Sequence, residues 1–308
     1  MTDLRELLEL TGYRAGWRLV RLLPAAAAYR LFDGLADAAH RRNGTQVRRL
    51  RDNYARVRPE LAPAELDRLT REGMRSYLRY WCDAFRLQDL DPAQLADAVR
   101  VEGDAPVRES LAAARGWVGF LGHLGNWDTA GAWATHHLAP VTTVAERLRP
   151  EALFRDFLRY REELGMTILP LAGGATVFRQ LVRAVRDNAF VPLLADRDLT
   201  ERGVDVVLCG HPARMAAGPA SLALATGAPL HPVAIRYEQH PDRPPGPGSH
   251  RIVITFGPEL VPGPGSRPEQ VRALTQQCAD FLGEHIRRHT EDWHMMQRVF
   301  VPAQETVR

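Results

Sequence analysis

The sequence predicts an α/β protein in which a central, mainly parallel mixed sheet is flanked by helices and preceded by a helical N-terminal region. Residues 4–99 carry a helical pattern, and after residue 100 short apolar strands alternate with helices. Two late strands are joined by a long proline-rich loop. Alternating strands and helices are typical of a sheet with helices on its faces. Ligands of such sheets bind at the carboxyl ends of the strands.

The α/β part begins with an apolar stretch at 116–121, which predicts a buried strand. The elements predicted after it are, in order, a helix from Asn126, a strand at 141–145, a helix at 150–164, a strand at 166–170, a helix at 175–187, strands at 190–194 and 204–208, a helix entered at Gly218 and Pro219, a hairpin of 229–237 with 251–256, and a helix from Pro268 to His289.

Length and composition indicate one domain. The chain has 308 residues, of which 45% are hydrophobic, and no low-complexity linker divides it. We therefore expect a single domain over 1–308, with a helical part up to residue 99 and an α/β part from residue 100. The 40 basic residues are all arginines, against 37 acidic ones. Cysteines 82, 209 and 278 show neither paired nor metal-site spacing, which favours a reducing compartment.

The glycine-rich stretch after the first apolar strand holds the strongest candidate for chemistry. His123 and Asp128 are five positions apart. On one continuous helix, at about 100° per residue, that offset would place their side chains on different sides of the helix. Gly122 and Gly125 can supply a turn, and Asn126 is a natural N-cap that places Asp128 in the first helical turn. An imidazole facing a carboxylate suits general-base chemistry, with Asp128 fixing the tautomer of His123. On spacing alone, a histidine satisfied within a loop explains the same pattern.

That stretch contains no Ser or Cys, so direct transfer to an external hydroxyl is more natural than a covalent acyl-enzyme. Further charges follow the strand at 190–194, where Asp196, Arg197 and Asp198 reach the same edge of the sheet as His123. A loop of salt bridges is the alternative explanation for them. Arg197 suits a substrate phosphate, and Arg214 suits an anionic group of a donor substrate.

Three separated motifs resemble the lysophospholipid acyltransferase superfamily: GHLGNWD at 122–128, ADRDL at 195–199 and the terminal DWHMMQRVFVP at 292–302. Within it, the chain is most similar to the bacterial lipid A late-acyltransferase family and its actinobacterial branch, the phosphatidylinositol mannoside acyltransferases. The likeness runs from about Leu4 to Pro302 and is specific because the motifs agree in order.

This resemblance implies an O-acyltransferase that moves a long, palmitoyl-like acyl chain from acyl-CoA to a mannose hydroxyl of phosphatidylinositol mannoside. His123 would be the base, and backbone NH groups of the glycine turn or an arginine would stabilise the thioester oxyanion. The likeness also implies a carboxylate near the histidine after the strand at 190–194. Asp196 is the first choice, while Asp198 and Glu201 stay open.

Glu146 and Arg161 stand where similar mannoside acyltransferases carry a Glu and an Arg in the acceptor pocket. The resemblance implies that they bind the inositol-phosphate or sugar portion of the acceptor. On sequence alone, a strand-end acid and a helix arginine are more simply a surface ion pair. No metal or redox cofactor is expected: His285 and His289 have the i, i+4 spacing of a metal pair, but no nearby motif completes a site.

Membrane association is expected to be peripheral, at the cytoplasmic face of the plasma membrane. No run approaches the roughly 20 apolar residues that span a bilayer, and the N-terminus lacks a signal-peptide pattern. The segment from Leu4 to Leu23 predicts a helix that suits an anionic bilayer surface. A surface helix that packs its leucines on the core is the alternative. Its apolar and basic residues include Leu7, Leu10, Trp17, Val20, Arg14, Arg18 and Arg21.

Two rival functions remain. A lipid A type acyltransferase that uses acyl-carrier protein shares the chemistry and the fold. A non-catalytic basic module for nucleic acid or lipid explains the arginines but not His123 and Asp128. The lack of interleaved aromatic motifs argues against nucleic acid. A basic cluster at Arg48, Arg49 and Arg51 fits either a solvated helix face or a surface for phosphate headgroups.

Overall fold

A computed structural model describes residues 4–147, 150–171, 175–198 and 203–301; the side chains of residues 4–10 and of Ala175 are outside the description. The helices are α1 (Leu4–Leu22), α2 (Ala25–Arg42), α3 (Thr45–Val57), α4 (Pro63–Arg86), α5 (Pro92–Asp97), α6 (Ala105–Ala112), α7 (Trp127–His137), α8 (Glu151–Glu163), α9 (Ala175–Arg186), α10 (Gly218–Thr226) and α11 (Arg267–Arg288). The strands are β1 (Val99–Glu102), β2 (Trp117–Leu121), β3 (Thr142–Ala145), β4 (Thr167–Pro170), β5 (Phe190–Leu194), β6 (Val204–Leu208), β7 (His211–Met215), β8 (Leu230–Gln239) and β9 (His250–Phe256).

The central sheet is mixed and mainly parallel, as predicted. Its strand order is β1-β9-β8-β2-β5. Strand β2 pairs in parallel with both β5 and β8, and β1 pairs in parallel with β9. The antiparallel pair β8–β9 is the predicted hairpin. The carboxyl ends of β2 and β5 therefore lie side by side, and they bring together the residues that follow Leu121 and Leu194.

Strand β2 lies in the middle of the core, as the burial of all five of its residues shows. Successive side chains of a strand point to opposite faces. Val118 and Phe120 accordingly enter one hydrophobic cluster, and Trp117 and Leu121 enter another on the opposite side of the sheet. A strand covered on both faces reads as a continuous apolar run rather than an alternating one, which is the pattern of 116–121.

The structure differs from the sequence prediction in three places. The helical pattern was expected to continue to Val99, whereas Val99–Glu102 forms the edge strand β1 against β9. Residues 211–215, expected to lead into a helix, form β7, which pairs with β6 as an antiparallel hairpin outside the central sheet. Strands β3 and β4 form a separate parallel pair, joined to β5 through a bridge between Val141 and Phe190. Each difference depends on a pairing partner that is distant in sequence.

The N-terminal helix α1 turns part of its predicted membrane face towards the protein. Trp17 donates a hydrogen bond to the carbonyl of Phe85, and Val20 is buried. Arg14 and Arg21 form ion pairs with Asp156 and Asp89. Leu7 and Leu10 lie outside the described side chains. The exposed apolar residues nearby are Leu19, Leu22, Leu31 and Leu35. Within the described ranges, no helix combines the length and the apolar character that crossing a bilayer requires.

Candidate active site

A tight turn follows β2 and carries His123 at the carboxyl edge of the sheet. The amide of Leu124 donates to the carbonyl of Gly122 at 2.8 Å, and Gly125 has φ +55°. A Cβ on Gly125 would stand 2.9 Å from the backbone of Ile235, so both its conformation and its surroundings require glycine. Asn126 caps α7 by accepting a hydrogen bond from the amide of Thr129 at 3.0 Å. The predicted glycine turn and N-cap are confirmed.

The imidazole of His123 is held by the carboxylate of Asp196, which follows β5. Nδ1 of His123 lies 2.6 Å from Oδ1, and the backbone NH of the same histidine donates to Oδ2 at 2.9 Å. Nε1 of Trp293 also donates to Oδ2 at 2.9 Å. Burial acts to raise the pKa of Asp196, but the charge of His123 and these donors outweigh it and hold the pKa below its usual value.

This geometry defines the state of the imidazole. An ionised carboxylate only accepts hydrogen bonds, so Nδ1 of His123 must carry the proton that it shares with Asp196. In the neutral ring the lone pair then belongs to Nε2. The side chain of His123 is 19% exposed, whereas that of Asp196 is fully buried. A buried acid behind a partly exposed imidazole is the arrangement of a general base.

Asp128 lies in the first turn of α7 as predicted, but its contacts differ from those predicted. Its Oδ1 accepts a hydrogen bond from Nε of Arg161 at 2.7 Å, and its Oδ2 accepts from Nη2 of the same guanidinium at 3.2 Å. The hydroxyl of Tyr80 donates to Oδ2 at 2.7 Å. The part of the chain that the structure describes contains no hydrogen bond between Asp128 and His123. The prediction that Asp128 contacts and orients the imidazole of His123 is therefore wrong. The carboxylate in contact with that imidazole is Asp196.

The pair of Asp128 with Arg161 is almost entirely buried, with side-chain exposures of 3% and 19%. Burial acts to lower the pKa of Arg161, but the charge and hydrogen bonds of Asp128 raise it above its usual value. Burial, followed by the charge of Asp128, also raises the pKa of Tyr80 well above its usual value. Asp128 thus holds a permanently charged guanidinium beside the turn.

The C-terminal segment completes the turn, which the sequence analysis did not foresee. The amide of Gly125 donates to the carbonyl of Asp292, and the amide of His294 donates to the carbonyl of His123. Leu124 and Trp293 form an antiparallel bridge. The sequence predicted only that this segment packs on the sheet. Trp293, in a motif with charged residues, is the feature of the sequence that could have indicated this role. A buried indole NH needs an acceptor.

A buried set of hydrogen bonds among Ser76, Asp292 and His294 lies behind the turn and fixes the tautomer of His294. The hydroxyl of Ser76 donates to Oδ1 of Asp292 at 2.6 Å and lies 3.0 Å from Nε2 of His294. Since the hydroxyl proton is already donated, Nε2 must carry the proton in its contact with Ser76. Burial, then the charges of His123 and Arg79, lower the pKa of His294 to about 3. His294 is therefore neutral, and the fold keeps a second positive charge away from His123.

The remaining predicted residues lie around the ends of β3, β5 and β7. Glu146 does not pair with Arg161: its carboxylate lies 3.6 Å from Nη2 of Arg197, and its side chain is 72% exposed. Arg214 pairs with Asp205 across the β6–β7 hairpin at 3.0 Å. The amide of Asp198 donates to the carbonyl of Arg214 at 2.9 Å, which ties that hairpin to the edge carrying Asp196. Glu201 lies outside the described residues.

Of the two histidines with metal-pair spacing, His285 lies on α11, and His289 follows its last residue and donates its amide to the carbonyl of His285 at 2.9 Å. Nδ1 of His285 lies 2.9 Å from the carbonyl of Phe281 one turn earlier. Over the ranges described here, no group of three or more His, Cys, Asp or Glu side chains is arranged to hold a metal ion.

One family model matches nearly the whole chain. The model of the bacterial lipid A biosynthesis acyltransferase family matches residues 5–301, which include all the groups described around His123. The chain belongs to this family of acyltransferases. The matched residues include the turn that holds the imidazole of His123 against the buried carboxylate of Asp196.

Two relatives of this acyltransferase are similar over nearly its whole length. A phosphatidylinositol mannoside acyltransferase of Mycolicibacterium smegmatis is 42% identical over 288 residues, which cover 93% of this chain and 89% of the relative. A protein of the same name from Mycobacterium tuberculosis H37Rv is 41% identical over 289 residues, which cover 93% of this chain and 86% of the relative.

Proposed function

We propose that this acyltransferase transfers a long, palmitoyl-like acyl chain from acyl-CoA to a mannose hydroxyl of a phosphatidylinositol mannoside. The observation that carries the proposal is the contact of His123 Nδ1 with the buried carboxylate of Asp196 at 2.6 Å. The acceptor class is taken from the names of relatives that are 41–42% identical to the chain.

In the proposed reaction, Nε2 of His123 takes the proton of the mannose hydroxyl as its oxygen attacks the thioester carbonyl. Asp196 stabilises the imidazolium through Nδ1. The tetrahedral intermediate collapses when the carbon–sulfur bond breaks, and the imidazolium returns the proton to the departing CoA thiolate. The products are the acylated mannoside, free CoA and neutral His123. NH groups of the glycine turn or an arginine stabilise the oxyanion.

The substrate-binding residues follow from the charges around the turn. Arg161 donates through Nε and Nη2 to Asp128, so its third nitrogen can donate to the inositol phosphate of the acceptor. Glu146, exposed after β3, accepts hydrogen bonds from sugar hydroxyls in this proposal. The donor phosphates are assigned to Arg197 and Arg214, and Asp198, whose amide donates to the carbonyl of Arg214, is assigned to the same binding region.

The test is an acyl-transfer assay with radiolabelled palmitoyl-CoA and a panel of phosphatidylinositol mannosides, lipid A precursors and lysophospholipids. We expect label in a mannoside, and about a 10²–10⁴-fold slower transfer by His123→Ala with acyl-CoA binding unchanged. Transfer to lipid A precursors, with acyl-carrier protein required as donor, would instead favour the rival acyltransferase. A folded His123→Ala protein with wild-type turnover would refute the assignment of the base.

We also propose that the face formed by α1 and α2 lies on an anionic bilayer at the cytoplasmic side of the plasma membrane. Leu19 and Leu22 of α1 are 57% and 82% exposed, and Leu31 and Leu35 of α2 are 45% and 48% exposed. Exposed apolar residues of this kind suit insertion among headgroups. In flotation with phosphatidylinositol vesicles, Leu19→Ser/Leu22→Ser should weaken binding. The control Val261→Ser, at a residue that is 70% exposed and belongs to neither α1 nor α2, should not. Equal flotation of both variants would argue against this face.

A further inference from the structure

A charged cavity lies outside the candidate active site. It is open to solvent, its volume is about 440 Å³, and it is bordered by the end of α3, the loop that follows α3, the turn between β6 and β7, and the last turn of α11. We call it the basic pocket. Its charged and titratable lining residues other than cysteine are Arg56, Arg58, Glu60, His211 and Arg287.

The basic pocket is separate from the reaction centre because it lies at the opposite end of the β6–β7 hairpin. The open end of the hairpin contacts the edge of the sheet, where the amide of Ala216 donates to the carbonyl of Ala195, next to Asp196. The closed end, at Cys209 and Gly210, lines the pocket. The five residues of a strand such as β7 span roughly 16 Å. A group bound in the pocket is therefore not in contact with His123.

The pocket carries an excess of positive charge. Arg58 is compensated by Glu60 at 2.5 Å. Among the ion pairs of the described residues, none involves Arg56 or Arg287. Arg56 instead donates to the carbonyl of Asp52 and lies over the ring of Phe300 at 5.7 Å. Two uncompensated guanidinium groups from two different helices thus line the same cavity.

The local structure holds this arrangement in place. Cys209 and Gly210 have φ of +52° and +85°, which makes the tight turn that brings β7 beside α3. Nε2 of His211 lies 3.1 Å from the carbonyl of Arg56 and donates to it, because a carbonyl only accepts. Attraction between arginines and helix C-termini explains basic residues at the ends of α3 and α11. It does not explain why both guanidinium groups line one cavity with a single acid.

We propose that the basic pocket binds a phosphate group. Guanidinium groups bind phosphate through paired, charge-assisted hydrogen bonds, and a cavity of this volume accommodates a small phosphorylated ligand. The phosphate can belong to a soluble molecule or to the headgroup of an anionic lipid, which present the same chemistry to the pocket. This site is additional to acyl transfer and does not depend on the proposed acceptor.

The test compares the wild-type protein with Arg56→Gln/Arg287→Gln and with Arg288→Gln as the matched control. Arg288 lies in the same last turn of α11 but pairs with Glu284 and does not line the pocket. Calorimetric titration with inorganic phosphate and pyrophosphate at low salt tests the soluble source. Co-sedimentation with phosphatidylinositol 4-phosphate vesicles, against phosphatidylcholine vesicles, tests the lipid source.

We expect saturable binding in at least one of the two experiments, weakened about tenfold or more by the double substitution and unchanged by Arg288→Gln. Binding of both soluble anions identifies a free phosphate ligand, and binding restricted to phosphoinositide vesicles identifies a headgroup. Melting temperature and palmitoyl transfer should match wild type in all variants, because the replaced side chains are exposed. The proposal is overturned if neither probe binds saturably, or if the double variant binds as well as the control.

Discussion

Two buried carboxylates flank the turn that carries His123, and they have opposite kinds of partner. Asp196 is 0% exposed and Asp128 is 2% exposed. Each accepts three hydrogen bonds, Asp196 from His123 and Trp293, Asp128 from Arg161 and Tyr80. The two acids therefore do not differ in the number of hydrogen bonds that they accept; they differ in the chemistry of the partner. The partner of Asp196 is an imidazole, a group that can take up and release a proton during a reaction, whereas the partner of Asp128 is a guanidinium, which stays charged.

This comparison separates two tasks, of which the sequence predicted for Asp128 only the first, the orientation of His123. A carboxylate on a titratable partner can stabilise a charge that appears during the reaction. A carboxylate on a permanent cation can only fix the position of that cation, at the cost of burying both charges. The structure divides these tasks between β5 and α7, and the two acids should respond differently to the same substitution.

The largest effect is expected from Asp196→Asn. The amide cannot stabilise the imidazolium and favours the wrong tautomer of His123, so kcat should fall by about 10²–10⁴-fold. KM for the acceptor should change little, because the substituted side chain lies behind the imidazole. Steady-state kinetics of the purified variant provide the measurement. Near wild-type kcat would show that the imidazole does not depend on this acid.

Asp128→Asn should act mainly on stability. Removing one partner of a buried ion pair leaves Arg161 uncompensated and is expected to lower the free energy of unfolding by about 3–5 kcal/mol. Tyr80→Phe is the matched control, since it removes one hydrogen bond to the same carboxylate and keeps the ring, with an expected loss of about 1.5–3 kcal/mol. Urea unfolding measures both. An Asp128→Asn protein of wild-type stability that has lost its turnover would reverse the roles of the two acids.

His294 provides the smallest and most specific effect. Its pKa is about 3 in the folded protein, against roughly 6.5 for an unfolded histidine, so between these values the unfolded chain binds more protons. Stability should therefore fall as pH is lowered below 6.5, by about 1.4 kcal/mol per pH unit from this group. His294→Gln should reduce the slope between pH 6.5 and 4.5 by that amount in urea unfolding. An unchanged slope would show that His294 is not held neutral.

The parts of the site that could be predicted are those determined by neighbouring residues. The buried strand β2, the glycine turn and the Asn126 cap depend on contacts within a few positions, and the structure has them where the sequence predicted them. The position of Asp196 came from a resemblance to a family motif rather than from spacing. What failed was the partner of Asp128, because Tyr80 and Arg161 are 48 and 33 positions away and the sequence does not show which acid each approaches.

The same limit explains the missed strands and the missed role of the C-terminal segment. Strand β1 has too little apolar character to be recognised without β9. Strand β7 contains a histidine, a proline and an arginine among its five residues, so it too lacks a strand pattern without its partner β6. Trp293 lies 97 positions from the carboxylate it binds. The periodicity of apolar residues reports on one segment at a time. Strands β1 and β7 and the contact of Trp293 each depend on a second segment of the chain.

The position of Trp293 in the chain has a consequence for biosynthesis. His123 leaves the ribosome roughly 170 residues before Trp293 and His294, which at bacterial elongation rates is a delay of about 10–30 s. During that interval the turn lacks the backbone contacts from Asp292 and His294 and the indole contact to Asp196. A nascent or C-terminally truncated chain therefore has His123 and Asp196 without the contacts that the C-terminal segment adds to them. Such a fragment should hold the turn that carries His123 less firmly than the full chain does.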